Sequence, residues 1–510
     1  MSSDVVWQLG PEILVVVTAV FVYVGGAFAA PRASWSWVAM IGCGLAGACL
    51  ATTAPITNAH PLMLDSLATW SRWLALGLGA ALVLLSWRPT NDPDGPEVVG
   101  SLMLVVAGMM LVSAAGELIL IFLGLELISI PTYILLFIGR RTVEGREAAA
   151  KYFYLSILAS AILLFGLSFL YGAAGTTSVD VIHARLLDGA SPLVAAAQLA
   201  IVFIFAGLSF KIAAVPFHFY AADVYQGTTD SNSALLSVAP KLAGFLALIR
   251  LVAVATEGVP SPSWRIALAL AALTMTTGNI LALWQDNLRR LLAYSSVAHA
   301  GYMLIGLAVA LATRSGTAGA FDGTTALLFY LLLYALATLG AFAALICLGT
   351  REQPVDHVDE LAGLAWSSES RPRLLAWMLA AFMFSLAGIP PLAGFWGKLA
   401  LFGGALGVRG SEAGLRPWFV GLAILGVLNA AIAAAYYLRI VGTMFFRMPL
   451  GKVPETPKRP APLTVALICV LLVLAIGLFP APWYDSASRA ALDTSPALNM
   501  EPALTQNPEP

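Results

Sequence analysis

The sequence predicts an all-α polytopic membrane protein with about fourteen transmembrane helices, two inverted five-helix repeats and discontinuous helices seven and twelve. Three observations lead there. Of 510 residues, 59% are hydrophobic and 11% charged, against roughly 25% charged in an ordinary soluble domain. A water-soluble fold has nowhere to hide that much apolar surface, so the bilayer must be the main solvent. Apolar runs of about 20 residues, the length that crosses the hydrocarbon core, recur along the chain. Three lysines and a glutamate lie inside those runs.

The runs centre near residues 20, 45, 78, 107, 128, 162, 204, 244, 275, 301, 337, 388, 430 and 472. Ala27-Phe28-Ala29 loosely resembles a signal-peptide cleavage site, but the segment before the first run carries Asp4 and no basic residue, and the run is long enough to span. It is expected to be retained. Basic residues set the orientation. Connections after odd-numbered helices hold sixteen, including Arg140, Arg141, Arg289 and Arg290, whereas the opposite side holds eight, including Arg72, Arg185 and Arg250. Both termini are therefore expected outside the cytoplasm. The near-zero net charge and the lack of a basic run exclude a nucleic-acid footprint. Cys43, Cys49, Cys347 and Cys469 are scattered, without a CxxC pair or histidine cluster, and read as small apolar packing residues rather than a metal, iron–sulfur or disulfide site.

Lys211, Lys241 and Lys398 are the basic residues assigned to no loop, and Glu126 lies about eight residues, roughly 12 Å, into the fifth span. An ionised side chain at the bilayer centre costs about 2.5 to 3.5 kcal/mol, so such residues face a bundle interior or a water-filled cavity. Together they point to an ion path. The bland alternative for each taken alone is a structural ion pair or a lysine whose long stem snorkels to the surface. In Phe210-Lys211-Ile212-Ala213-Ala214-Val215-Pro216, the proline crowds the carbonyl of Ile212, placing Lys211 beside freed carbonyls. In Ala387-Gly388-Ile389-Pro390-Pro391-Leu392-Ala393-Gly394-Phe395-Trp396-Gly397-Lys398, two prolines and three glycines oppose a continuous helix. Either stretch alone fits a proline kink; each comes with a lysine, which favours breaks that line a cavity. By helix dipole, Lys211 near a half-helix end is expected to be favoured as a cation, and Lys398 near a half-helix start disfavoured.

Helices seven and twelve differ by five, an odd offset, so equivalent helices cross in opposite directions, as in an inverted repeat. The expected organisation is an N-terminal three-helix segment (1–90), a first repeat of helices four to eight (95–257), a second of helices nine to thirteen (264–445), helix fourteen (460–484) and a Pro-rich tail (485–510). The repeat places His299 opposite Glu126. A lone histidine in an apolar helix is more often a hydrogen-bonded structural residue, so His299 stands as a relay candidate only.

Five stretches now carry a family resemblance. Phe122-Leu123-Gly124-Leu125-Glu126-Leu127; Phe210-Lys211 with Val215-Pro216-Phe217-His218; Asp223-Val224-Tyr225-Gln226-Gly227; Arg289-Arg290-Leu291-Leu292-Ala293-Tyr294-Ser295-Ser296 with His299-Ala300-Gly301-Tyr302; and the Leu386 to Lys398 stretch resemble, in order, the antiporter-like membrane subunits of respiratory complex I, the bacterial NADH-quinone oxidoreductase. The chain is most similar to those without a long lateral C-terminal helix. The resemblance implies a proton-translocating subunit of the inner (plasma) membrane in which Glu126 and Lys211 form a charge pair, Lys241 is the central relay and Lys398 the exit-side carrier. Glu147, four residues before Lys151, matches a second acidic position of the family; a surface helix pair is the other reading. NADH, FMN, iron–sulfur clusters and quinone are implied in partner subunits, with no cofactor in this chain. Membrane and peripheral subunits, the lipid bilayer and protons are the implied partners. The rival readings are a multisubunit sodium/proton antiporter, a hydrogenase-type complex and a non-pumping scaffold. Gly227-Thr228-Thr229-Asp230 departs from the family's Gly-Ala-Pro at that loop.

Overall fold

The computed structural model describes residues 3–28, 35–53, 60–87, 92–187, 194–257, 259, 263–313, 321–350, 354–408, 414–449 and 454–492. Arg32, Arg88, Arg314, Arg351, Arg409 and Lys452, which enter the count of basic residues, lie outside them, as do residues 493–510.

Every element of regular structure among the described residues is helical, apart from isolated bridges between loops. The N-terminal part holds α1 (Ser3–Gln8), α2 (Gly10–Phe28), α3 (Trp35–Thr52) and α4 (Ser66–Leu85). There follow α5 (Gly95–Ala114), α6 (Leu118–Gly139), α7 (Val143–Ala174), α8 (Val179–Leu187), α9 (Val194–Lys211), α10 (Ala221–Gly227) and α11 (Asp230–Leu248), the last continued by a π-turn at Ile249–Val254. The next group is α12 (Ser263–Leu283), α13 (Leu288–Ala312), α14 (Gly323–Ile346), α15 (Ser370–Ala387), α16 (Ala393–Gly407) and α17 (Leu415–Phe446). The chain closes with α18 (Pro460–Leu478) and α19 (Ala481–Leu492).

Thirteen of these helices are long and apolar enough to cross a membrane, and they coincide with thirteen of the expected runs. The fourteenth run, near residue 388, is the pair α15 and α16. Helix starts follow the polar residues that satisfy free backbone N–H groups: Asp65 accepts from Ala68, Thr142 from Gly145, Asn287 from Arg290 and Asp322 from Thr325. The loop that departs from Gly-Ala-Pro does the same. Thr229 caps α11 by accepting from Asn232, whose side chain donates to the Leu135 carbonyl at 2.7 Å.

Both expected breaks are present, and they have one geometry. At the end of α9, Ala214 N–H donates to the Ser209 carbonyl at 2.7 Å and Ala213 N–H to the Phe210 carbonyl at 3.0 Å, with Ala213 left-handed at φ 57°. At the end of α15, Ile389 N–H donates to Phe384 and Gly388 N–H to Ser385, each at 3.0 Å, with Gly388 at φ 88°. This paired bonding is the Schellman termination, which normally recruits glycine at the left-handed position. A Cβ on residue 388 would also meet Lys398 Cδ at 2.8 Å. Gly388→Ala is expected to destabilise the protein by about 1 to 2 kcal/mol, measured as earlier thermal inactivation of the purified membrane complex.

The interior of the bundle is α11, α13 and α14. The apolar window of α11 is 100% buried and those of α13 and α14 are each 89% buried, against 28% for α2. α14 packs on α11, α13, α15, α16 and α18, and α11 reaches α6 and α9. Outward positions such as Phe165, Trp377 and Leu471 are apolar and exposed, the pattern of a protein solvated by lipid.

Three expectations about placement change. Arg72 and Arg250 were assigned to loops but are buried within the helical bundle. Arg72 makes two bonds to Glu12, at 2.6 and 2.7 Å, and Arg250 pairs with Asp65. Their carboxylate partners make burial tolerable, and removing both from the loop count widens the basic asymmetry. Residues 485–492, expected as the start of a Pro-rich tail, are helical: α19 extends to Leu492 with Ala487, Ala490 and Ala491 turned inward.

Candidate functional site

The buried lysines lie on the interior elements and the half-helix ends. Lys211 is 4% exposed, Lys241 1%, Lys398 5% and His299 2%.

Lys211 is the last residue of α9. Its ammonium donates to Ser129 Oγ on α6 at 2.6 Å and to Ser156 Oγ on α7 at 3.2 Å, with Glu126 Oε1 3.6 Å away. The same carboxylate oxygen accepts from the Ser160 hydroxyl. Glu126 therefore stands between two partners, a hydroxyl at hydrogen-bond distance and a cation just beyond it. Tyr133 donates to Ser156 at 2.8 Å and extends the cluster. Of the carbonyls near Lys211, that of Ser209 is satisfied within the turn and that of Phe210 within the turn and by Tyr220, whose hydroxyl donates to it at 3.0 Å. The turn folds back on its own carbonyls, leaving the lysine to reach across to α6 and α7.

Lys241 sits midway along α11 and has no carboxylate partner among the described residues. Its ammonium donates to the hydroxyl and carbonyl of Ser296 on α13 and, at 3.2 Å, to the Tyr334 hydroxyl on α14. It also lies 4.9 Å from the centroid of the Tyr334 ring. Tyr334 donates in turn to Ser296 Oγ at 2.8 Å, and Ser237 and Tyr225 continue the hydroxyl chain. A buried cation held only by neutral dipoles is close to the limit of what a low-dielectric interior accommodates.

His299 on α13 holds two tyrosine hydroxyls, Tyr330 at Nδ1 (2.7 Å) and Tyr437 at Nε2 (3.0 Å), while Tyr437 also bonds Ser295. Its ring lies 5.0 Å from that of Tyr334 and 5.8 Å from that of Tyr302. Tyr334 belongs to the Lys241 cluster, and Lys398 Nζ is 5.1 Å from the Tyr302 ring. His299 thus occupies the space between the two lysines, with both ring nitrogens engaged.

Lys398 overturns an expectation. Although it lies near the start of α16, its ammonium folds back onto α15 and donates to the Leu386 and Ala387 carbonyls at 3.0 and 2.8 Å. These are the last carbonyls of a half-helix, the negative end of its dipole, which favours a cation. Both broken helices therefore offer a helix C-terminus near a lysine, rather than opposite poles.

Glu147 stands apart from this set. It pairs with Lys151 at 2.7 Å, its side chain 59% exposed, and Lys151 also reaches Asp223 at 2.9 Å. Partial burial pushes the Asp223 carboxyl up, but hydrogen bonds from Lys151 and Arg290 outweigh it and hold the group below the usual carboxylate range. Arg289, 1% exposed on its side chain, ties Asp230 at the start of α11 to Asp356. Glu147→Gln is expected to change proton pumping and assembly by less than about fivefold, because exposed pairs contribute at most about 1 kcal/mol; acidification by inverted membrane vesicles measures it.

Ser129, Ser156, Ser160, Ser296, Tyr330, Tyr334 and Tyr437, which bind these charges, escaped sequence reasoning. A signal existed only for Ser129, one turn from Glu126, and for the Ser156 and Ser160 pair on one face of α7. Among the described residues, no group of three or more His, Cys, Asp and Glu side chains has the arrangement of a metal site.

Residues 115–415 match the family described as "NADH:quinone oxidoreductase/Mrp antiporter, TM". Among curated relatives, the chain is 39% identical to NADH-quinone oxidoreductase subunit N of Trichlorobacter lovleyi over 417 residues, 81% of each chain. It is 34% identical to F(420)H(2) dehydrogenase subunit N of Methanosarcina mazei over 96% of this chain and 98% of that one. Among solved structures, a chain of respiratory complex I from Thermus thermophilus with bound aureothin aligns with a TM-score of 0.76 at 32% identity, covering 93% of this chain and 98% of that one. A chain of the Mrp complex from Dietzia aligns at 0.78 with 23% identity over 98% of each, a likeness of fold.

Proposed function

Because the chain belongs to the NADH:quinone oxidoreductase/Mrp antiporter transmembrane family, we propose that it is a proton-translocating membrane subunit, of the kind named subunit N in its relatives, in a NADH-quinone oxidoreductase. Electrons pass from NADH to quinone in partner subunits, which hold the FMN and iron–sulfur clusters, and this chain moves protons through Glu126, Lys211, Lys241 and Lys398. The observation that supports this reading best is that three buried lysines are bound by hydroxyls, carbonyls and a single carboxylate around two matching helix breaks. A scaffold has no need of Lys241, a buried lysine without a carboxylate partner among the described residues.

The proposed sequence starts at Glu126. Movement of its carboxylate between Ser160 and Lys211 alters the attraction on the Lys211 ammonium, because Coulomb energy in a poorly screened interior is steep over a few ångströms. Lys211 and Lys241 belong to separate hydroxyl clusters, with no direct hydrogen bond between them among the described residues, so water completes the step between them. Gly244, one turn from Lys241, brings α11 against the backbone of the α9 break: a Cβ there would meet Ile212 Cγ2 at 2.6 Å and Lys211 Cβ at 3.4 Å. From Lys241 the proton passes to Lys398 by way of His299, whose two ring nitrogens bond the Tyr330 and Tyr437 hydroxyls, with water completing the gaps on either side. Two inverted repeats, 95–257 and 264–445, carry one break each, and the matching Schellman turns support that pairing. The basic asymmetry supports a reading in which both termini lie on the non-cytoplasmic side of the plasma membrane.

Moving one charge against 100 mV costs about 2.3 kcal/mol, energy that redox chemistry in the partner subunits supplies. Purification of the assembly from detergent-solubilised membranes tests the assignment. Recovery of this chain with flavin- and iron–sulfur-bearing subunits is the expected result; sodium-dependent exchange by an assembly that lacks them would assign the chain to an antiporter instead.

A further inference from the structure

Outside the relay, an apolar recess lies between α4, α14, α18 and α19, with a volume of about 820 Å3, within the range of small-molecule sites. It runs along α4 from Ser66 to Leu84, eighteen positions or roughly 27 Å, nearly the thickness of a hydrocarbon core. Its walls are apolar along most of that length: Trp73, Leu74, Leu332, Leu336 and Ile468 face it. Gly77 leaves it open, since a Cβ built there meets no atom within 4 Å.

One end is different. α19 is amphipathic, burying Ala487, Ala490 and Ala491, while Tyr484 packs edge-on against Phe321 and Phe329 near the start of α14. Such a helix lies in the membrane interface. It brings Ser486 and Arg489 to the same recess as Ser66 and Thr69 of the first turn of α4. Arg489 is exposed and makes no ion pair with the described residues. A long apolar trough, open to the bilayer and closed at interfacial depth by an unpaired guanidinium with hydroxyls, is complementary to one kind of molecule. We propose that this recess binds an anionic phospholipid, with an acyl chain along α4 past Gly77 and the phosphate on Arg489. The bidentate fork of arginine suits a phosphate, and the apolar walls suit the chain. The site is independent of the relay and tests separately from it.

The test uses the intact purified complex in phosphatidylcholine nanodiscs doped with phosphatidylglycerol carrying a photoactivatable acyl chain, with phosphatidylcholine carrying the same chain as the comparison probe. Labelled peptides are identified by mass spectrometry. The expected result is labelling of α4 and α18, with phosphatidylglycerol preferred about fivefold, the effect of one interfacial cation on an anionic lipid. Arg489→Gln removes that preference while leaving acyl labelling by the phosphatidylcholine probe. Gly77→Phe, whose Cβ meets no atom within 4 Å and whose ring takes up space in the trough, lowers labelling by both probes to background. Three results overturn the proposal: labelling of these helices that ignores Gly77→Phe, equal labelling by both headgroups in the unaltered complex, or cross-links from this face to a neighbouring subunit in place of lipid.

Discussion

Replacing Lys241 by methionine is expected to lower proton transfer through this position by at least about 100-fold, the lower end of what one positioned proton-transfer group contributes. Redox turnover falls with it, because the two are coupled. The argument rests on the absence of a substitute. The Lys241 cluster holds the Ser296 and Tyr334 hydroxyls and the Ser237 carbonyl, with no other lysine or arginine among the described residues, and His299 hydrogen-bonds Tyr330 and Tyr437 rather than this cluster, so the vacated place has donors and acceptors but nothing within it that holds a proton as a charge. Methionine keeps the length and apolar stem of lysine, and the aromatic face of Tyr334 accepts its sulfur. The helices therefore pack as before. NADH-driven quinone reduction in membrane preparations, set against the amount of assembled complex on a native gel, measures the change; full turnover at normal assembly would mean that Lys241 is structural.

Glu126→Ala is expected to destabilise the protein by about 3 kcal/mol, the low end of the cost of stripping one partner from a buried pair. The low end applies because Lys211 keeps Ser129 and Ser156 and the Glu126 side chain is 21% exposed. The informative comparison is the double variant. In Glu126→Ala/Lys211→Met no charge is left unpaired, so assembly recovers to near the level of Lys211→Met alone while pumping does not. A thermodynamic cycle over the four proteins, read from thermal inactivation, gives the coupling directly. A coupling near zero would show that the 3.6 Å separation carries no energetic contact and that Ser160 alone holds Glu126.

The sequence disclosed the parts of this site that violate the rules of an apolar helix. Lys211, Lys241, Lys398 and Glu126 stand out because the apolar stretches around them carry no other charge for several residues on either side, and Pro216 and the prolines and glycines around residue 390 marked both breaks. The hydroxyls that bind those charges did not stand out. Ser296 and Tyr334 are ordinary residues for a packed helix and become partners only through the crossing of α11, α13 and α14. Arg72 and Arg250 were misplaced because they lie near span ends, where a basic residue normally reaches water, and because Glu12 and Asp65 are 60 and 185 positions away. The environment of Lys398 was misread for a related reason: the pole beside it belongs to α15, across the break, and not to its own helix. Long-range packing decides such questions, and a single sequence does not record it.

The central claim is that protons cross by way of the buried lysines. Reconstituted vesicles containing the complete complex test it through the number of protons moved per NADH oxidised, compared between the unaltered protein and Lys241→Met at the variant's own residual turnover. The relay predicts a lower ratio in the variant, with whatever redox activity persists running partly uncoupled. An unchanged ratio at unchanged turnover would place the proton path elsewhere in the complex and leave Lys241 a structural cation.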